Sequence, residues 1–181
     1  MLRITIPATE LYDARKQEFV STKEQTLQLE HSLVSLSKWE SRWNKPFISR
    51  NDITYEETID YIRCMTITQN VDPDVYNNLT KENIEQVNEY IGRSMTATTF
   101  VEDKGKKGGN REIITAEIIY HWMIALQIPT EYRKWHLNSL LTLIRVCNEK
   151  SQPPKKMSQR DVLSRNAQLN AARRKKHNSK G

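Results

Sequence analysis

Thr26-Leu27-Gln28-Leu29-Glu30-His31-Ser32-Leu33-Val34-Ser35-Leu36-Ser37-Lys38-Trp39 contains the change of rhythm on which the fold turns. Up to Glu30, apolar and polar residues alternate, the period of a strand with one buried face. From Ser32 onward Leu33, Leu36, Trp39 and Trp43 recur at intervals of three and four, which places them on one face of a helix. The expected fold is therefore mainly α with a small N-terminal β element (α+β).

On the N-terminal side, Leu2-Arg3-Ile4-Thr5-Ile6 alternates strictly and Pro7 stops it. Asp13-Ala14-Arg15-Lys16-Gln17 is a polar stretch of hairpin-turn length, so two to four short strands are expected within the first 30 residues. On the C-terminal side, Pro46 is expected to end the first helix. Thr54 with Glu57 forms a capping box that opens a helix bearing Ile59, Ile62, Cys64 and Met65. Asp72-Pro73 reads as an N-cap and first helical residue, and Thr80 opens a further helix closed by Gly92.

The stretch from Glu102 to Arg111 has no apolar side chain and reads as a mobile loop. Helical spacing resumes from Ile113 to about Gln127. After Pro129, Thr130 caps a long helix through Trp135, Leu140, Leu141, Ile144 and Cys147. A short Ile-Pro-Thr connection between these two helices predicts an antiparallel hairpin at the centre of a helical bundle. Trp122, Trp135, Leu140 and Ile144 are then expected to pack on one another. Ser151-Gln152-Pro153-Pro154 is a stiff linker, and Ser158 with Asp161 begins a last helix to about Lys176. The expected organisation is a folded body over 1–150 and a basic C-terminal helix or tail over 151–181. The body divides into a β element (1–30), a first helical part (31–92), the mobile loop (93–111) and the helical hairpin (112–150).

The formal charge of +6 is uneven. Residues 151–181 hold nine basic side chains against Asp161 alone, leaving the body at about −2. The basic character thus belongs to the tail and implies no nucleic-acid groove on the body. Within 181 residues no apolar run reaches the roughly 18 needed for a membrane span, so no membrane partner is expected. Glu10 and Asp13 come too early for a signal peptide, and with no secretion expected, Cys64 and Cys147 read as buried reduced thiols.

No catalytic constellation is legible, and neither an enzyme nor a cofactor is expected. His121 and His136, with Glu117 nearby, lack the third ligand a metal site needs. In the loop Gly105–Gly109, Lys107 is followed by Gly108 where a phosphate loop would place Ser or Thr. The candidate partner-binding residues are of two kinds. Trp39, Trp43 and Phe47 are either core packing or an aromatic anchor surface, alternatives that spacing alone leaves open. Arg173, Arg174, Lys175 and Lys176 either complement a helix C-terminus or attract an acidic protein; with no aromatic among them, nucleic acid is not the expected partner.

Three stretches carry a family resemblance: Leu29 through Phe47, Trp135 through Asn148, and Asn170-Ala171-Ala172-Arg173-Arg174-Lys175-Lys176. In these the chain resembles small proteins of the tail gene clusters of long-tailed bacteriophages of Gram-positive hosts, which look like tail assembly chaperones or are unassigned tail-region proteins. The resemblance implies a protein that coats the tape measure protein, recruits tail tube subunits in the host cytoplasm and is absent from the finished virion. Self-association is a further expectation. A minor virion component or head–tail connector is the alternative, and a basic-tailed nucleic-acid-binding module the third.

Overall fold

The computed structural model describes residues 1–13, 18–50, 52–100, 113–151 and 159–177. Four strands open the chain: β1 (Leu2–Ile6), β2 (Thr9–Asp13), β3 (Glu18–Thr22) and β4 (Gln25–Leu29). β1 pairs antiparallel with β4, Leu2 opposite Leu29 through Ile6 opposite Gln25. β2 pairs antiparallel with β3, Thr9 opposite Thr22 through Asp13 opposite Glu18. The register is the same on both sides of the gap, so the two pairs are one hairpin interrupted at Pro7-Ala8 opposite Lys23-Glu24. Pro7 has no N–H to give to a ladder, which accounts for the interruption. Ile4, Ile6, Leu27 and Leu29 point inward and Arg3 and Thr5 outward, as the alternation requires. The hairpin turn expected at 14–17 lies outside the described residues.

Six α-helices follow: α1 (Leu33–Trp43), α2 (Tyr55–Met65), α3 (Lys81–Gly92), α4 (Ala116–Ala125), α5 (Leu137–Ser151) and α6 (Gln159–His177). Single 3-10 turns cover Pro73–Asn78 and Thr130–Lys134. The mainly helical fold with a small β element is thus the observed one. Capping boxes are present at Ser32 with Ser35, Thr54 with Glu57, and Thr80 with Asn83. Asp72 caps the turn that Pro73 begins. Two helix ends differ from expectation. α1 stops at Trp43 because Asn44 takes the left-handed conformation at φ 53°, before Pro46 is reached. α3 runs through Gly92 and is capped by Arg93 at φ −64°, so Gly92 supplies no left-handed turn.

The expected core centre at 112–150 is corrected. Buried side chains form two clusters, and the larger is built by β1, β4, α1, α2, the first 3-10 turn and α3 around Trp39, Tyr61, Ile62 and Tyr90. The second joins Leu33 and Leu36 of α1 to Ile119 and Met123 of α4 and Leu137, Leu140 and Ile144 of α5. α1 is the shared wall, sending Trp39 one way and Leu33 and Leu36 the other.

The predicted hairpin is also altered in detail. α4 starts at Ala116, three residues after Ile113, and the connection to α5 runs from Leu126 to His136 through a 3-10 turn. Thr130 caps no long helix. Trp135 therefore precedes α5, is 45% exposed and stacks on Tyr132 at 4.1 Å. Of the four residues expected together, Leu140 and Ile144 are buried, Trp122 is half-buried and Trp135 lies at the surface.

Contacts divide the chain into two compact units, Met1–Cys147 and Asn148–Gly181. Cys64 is buried and Cys147 half-buried, and both are free thiols. No described helix is long and apolar enough to cross a membrane. The expected loop begins with described, irregular chain over 93–100, but its charged glycine-rich centre, Gly105–Gly109 included, lies outside the described residues, as do Pro153, Pro154 and Ser158.

Candidate functional site

Two polar constellations sit inside the first unit. The first involves the three aromatic candidates. Trp39 is fully buried and donates its indole N–H to the Glu57 carbonyl at 2.9 Å. Its ring meets Trp43 at 6.0 Å and the edge of Phe47 at 5.0 Å, and Phe47 stacks on Tyr61 at 3.9 Å. Trp43 is half-buried and donates to Asp60 at 2.9 Å. These contacts place Trp39 in the core, while Trp43 and Phe47 pack on it and stay half-buried.

Around that stack lie three acidic residues with different tasks. Glu57, buried, receives Lys45 at 2.8 Å, Arg50 at 3.2 Å and the Thr54 backbone N–H at 2.9 Å. The Lys45 bond first, then the Thr54 amide and Arg50, pull its carboxyl down to about 2. Asp60 holds Arg42 as well as Trp43. Glu40 accepts the backbone N–H of Phe47 at 2.9 Å and of Ala116 at 2.7 Å, tying α1 to the start of α4. Burial pushes its carboxyl upward against those two amides.

The second constellation was not legible in the sequence. His31, in the bend between β4 and α1, and His136, before α5, are both buried with ring centroids 5.1 Å apart. His31 Nδ1 lies 2.6 Å from the Tyr61 hydroxyl. His136 Nε2 lies 3.1 Å from the Tyr90 carbonyl, and its Nδ1 accepts the Asn138 backbone N–H at 3.3 Å. A carbonyl only accepts and an amide N–H only donates, so these partners assign His136 as neutral with the proton on Nε2. Desolvation, then the neighbouring His136, lowers the His31 pKa to about 3. Desolvation likewise lowers that of His136. Tyr90 donates to Glu30 at 2.6 Å. His136 thus turns to His31, while His121 stays exposed on α4.

A cleft of about 680 Å³ opens beside this pair, between the chain at Met95, Thr96 and Thr98 and the α5 side chains Ser139, Leu143 and Val146, with Trp135 on its rim. Among the described residues no three His, Cys, Asp or Glu side chains converge as a metal would require. Every buried side-chain nitrogen and oxygen described has a hydrogen-bond partner, so no orphaned polar atom points at a ligand.

The remaining candidates lie on α6. Arg173 and Arg174 are exposed, as is every other described side chain of this helix, Leu163 at 69% and Leu169 at 47% included. The positions of Lys175 and Lys176 fall in its last turn, where cations complement the helix dipole. No family model matches the chain, and no curated protein or solved structure matches it.

Proposed function

We propose that this chain is a non-enzymatic phage tail assembly chaperone that holds the tape measure protein through its basic C-terminal helix and helps recruit tail tube subunits. The observation that carries the reading is α6: nineteen helical residues whose described side chains are all exposed, ending in Arg173-Arg174-Lys175-Lys176. A helix that buries so little apolar surface is marginal alone and gains most from a partner. Its charge selects an acidic partner. The family resemblance implies the tape measure protein as that partner.

Deletion of residues 155–181 tests this. The thermal transition of the body is expected to stay in place, while capture of the tape measure protein from the same gene cluster falls by about tenfold or more. Capture by the intact chain is expected to weaken as salt rises, because exposed charges are screened beyond about 8 Å at physiological ionic strength. A deletion that melts the body, or capture indifferent to both deletion and salt, would end the proposal. Recovery of the chain in purified particles would favour a virion component instead.

A further inference from the structure

Arg42, Lys45, Arg50, Arg63, Lys81 and Arg93 each stand within ion-pair distance of a carboxylate. Lys38 of α1 and Arg133 and Lys134 of the second 3-10 turn do not: among the described residues no carboxylate pairs with any of the three. All three line one pocket of about 410 Å³, enclosed by the start of α1, the end of α2 and that turn. Three like charges around one opening repel one another and do nothing for the fold, although the body that carries them is slightly acidic overall. Glu30 also lines the pocket, but its two oxygens are taken by the Met1 amino group at 3.0 Å and the Tyr90 hydroxyl at 2.6 Å. The hydroxyls of the lining are committed as well. Ser35 donates to the Ser32 carbonyl at 2.8 Å, and Thr66 to the Ile62 carbonyl at 2.9 Å. What remains of the lining is apolar: Val34, Met65 and the exposed Ile67, with the Cys64 thiol beside them.

We propose that this pocket binds an acidic segment of a partner protein, seating an apolar side chain on Val34, Met65 and Ile67 while flanking carboxylates meet Lys38, Arg133 and Lys134. The unpaired cations select the sign of the ligand, and the rest of the lining selects its class. A phosphate or a sugar is held by donors fixed in place, but the hydroxyls here are already bonded and the three cations sit on exposed, flexible side chains. Among the described residues no aromatic ring lines the pocket, so a nucleobase has nothing to stack on. An acidic peptide needs neither device. It gains from one apolar contact in the pocket and from charges at the rim, which steer its approach and fix its register. The site lies wholly on the first unit and does not depend on the role given to α6.

Cys64 supplies the readout. It lines the pocket and is 8% exposed, so an occupant shields it, whereas a peptide held on α6 does not. The full chain is treated with N-ethylmaleimide, a neutral reagent, and modification of Cys64 is followed by peptide mass spectrometry. The probe is the acetylated peptide Glu-Glu-Leu-Glu-Glu-Leu-Glu-Glu. At saturation it is expected to slow the reaction by about fivefold or more, since thiol reactivity follows access. The same peptide with Gln in place of every Glu is expected to leave the rate within about twofold, because the charges are lost. Lys38→Glu combined with Lys134→Glu is expected to raise the peptide concentration for half-protection by about tenfold. Each chain is compared with itself, with and without peptide, because Lys38 also acts on the thiol. The replaced side chains are exposed, and an unchanged melting transition checks the fold; should it move, Lys38→Gln with Arg133→Gln makes the same comparison. No protection of Cys64, equal protection by the Gln peptide, or protection indifferent to both pairs of substitutions would each overturn the proposal. So would equal protection by sodium phosphate at matched ionic strength, which would mark a small-anion site.

Discussion

Trp39→Ala is expected to destabilise the body by about 4 kcal/mol, the largest loss of any single substitution considered for this chain. Trp39 has no exposed surface, contacts Trp43, Phe47 and Tyr61, and gives its indole N–H to α2. Removing it opens a cavity against side chains that are themselves pinned. Lys45 and Arg50 hold Glu57, and Arg42 holds Asp60, so the walls cannot collapse cheaply. Trp43→Phe keeps a ring at a half-buried position and forfeits its bond to Asp60, for an expected loss of about 1 kcal/mol. Urea unfolding of both variants measures the difference. It also separates the two sequence readings of this residue: an anchor for a partner would leave stability almost unchanged and abolish capture, whereas a core ring does the reverse.

Acidification from pH 6.5 to pH 5 is expected to cost about 2 kcal/mol through His31 alone. The ordinary pKa of 6.5 applies in the unfolded chain, while in the fold burial and His136 hold it near 3. Well above pH 6.5 the ring is neutral in both states and contributes no pH dependence. Below it the unfolded chain takes up a proton that the fold refuses, so stability declines at about 1.4 kcal/mol per pH unit until the folded pKa is reached. His136 is shifted in the same direction and adds to the slope. Glu57, depressed from 4.5, adds its own loss only at lower pH, while Glu40, raised by burial, takes up its proton first in the fold and works against the histidines. His31→Gln, able to keep a bond to Tyr61, is expected to flatten that interval by more than half. A wild-type profile flat between pH 7 and pH 5 would show that the pair is not held neutral.

What could be read in the sequence was what is local. The capping box at Thr54, the helix start at Thr80, the Asp72-Pro73 start and the switch of period at Ser32 depend on residues within four positions of one another, and each was visible. The misplaced details arise where distant residues decide. Trp135 fits the apolar spacing of α5, but a 3-10 turn between Pro129 and the helix rotates it to the surface. The aromatic candidates could be core or surface by spacing; the placement of α2 across α1 buries Trp39 and leaves Trp43 and Phe47 half-buried. The His31–His136 pair and the bonds from the start of α5 to main-chain carbonyls left no local signature. They arise because β4, the end of α3 and the start of α5 meet, with Leu137 N–H on the His31 carbonyl at 2.7 Å. The features of α6 were legible because composition suffices to describe a helix whose described side chains are all exposed.

The division of the core has a consequence for synthesis. Every buried residue of the larger cluster lies between Ile4 and Tyr90, whereas the smaller one needs Leu33 and Leu36 together with residues from Ala116 to Ile144. During translation the N-terminal half can close its own interior before the ribosome has made α4. It must then wait with Leu33 and Leu36 bare and with the Glu40 carboxylate lacking its bond to Ala116, 76 positions later. Vectorial growth is therefore expected to produce a folded but adhesive intermediate, the kind of species that exposes apolar surface to other chains. A fragment of residues 1–92, whose tryptophans are Trp39 and Trp43, is expected to shield Trp39 from acrylamide while binding a hydrophobic dye that the whole chain ignores. Quenching as fast as that of free indole would mean that the first cluster cannot stand until the second is built.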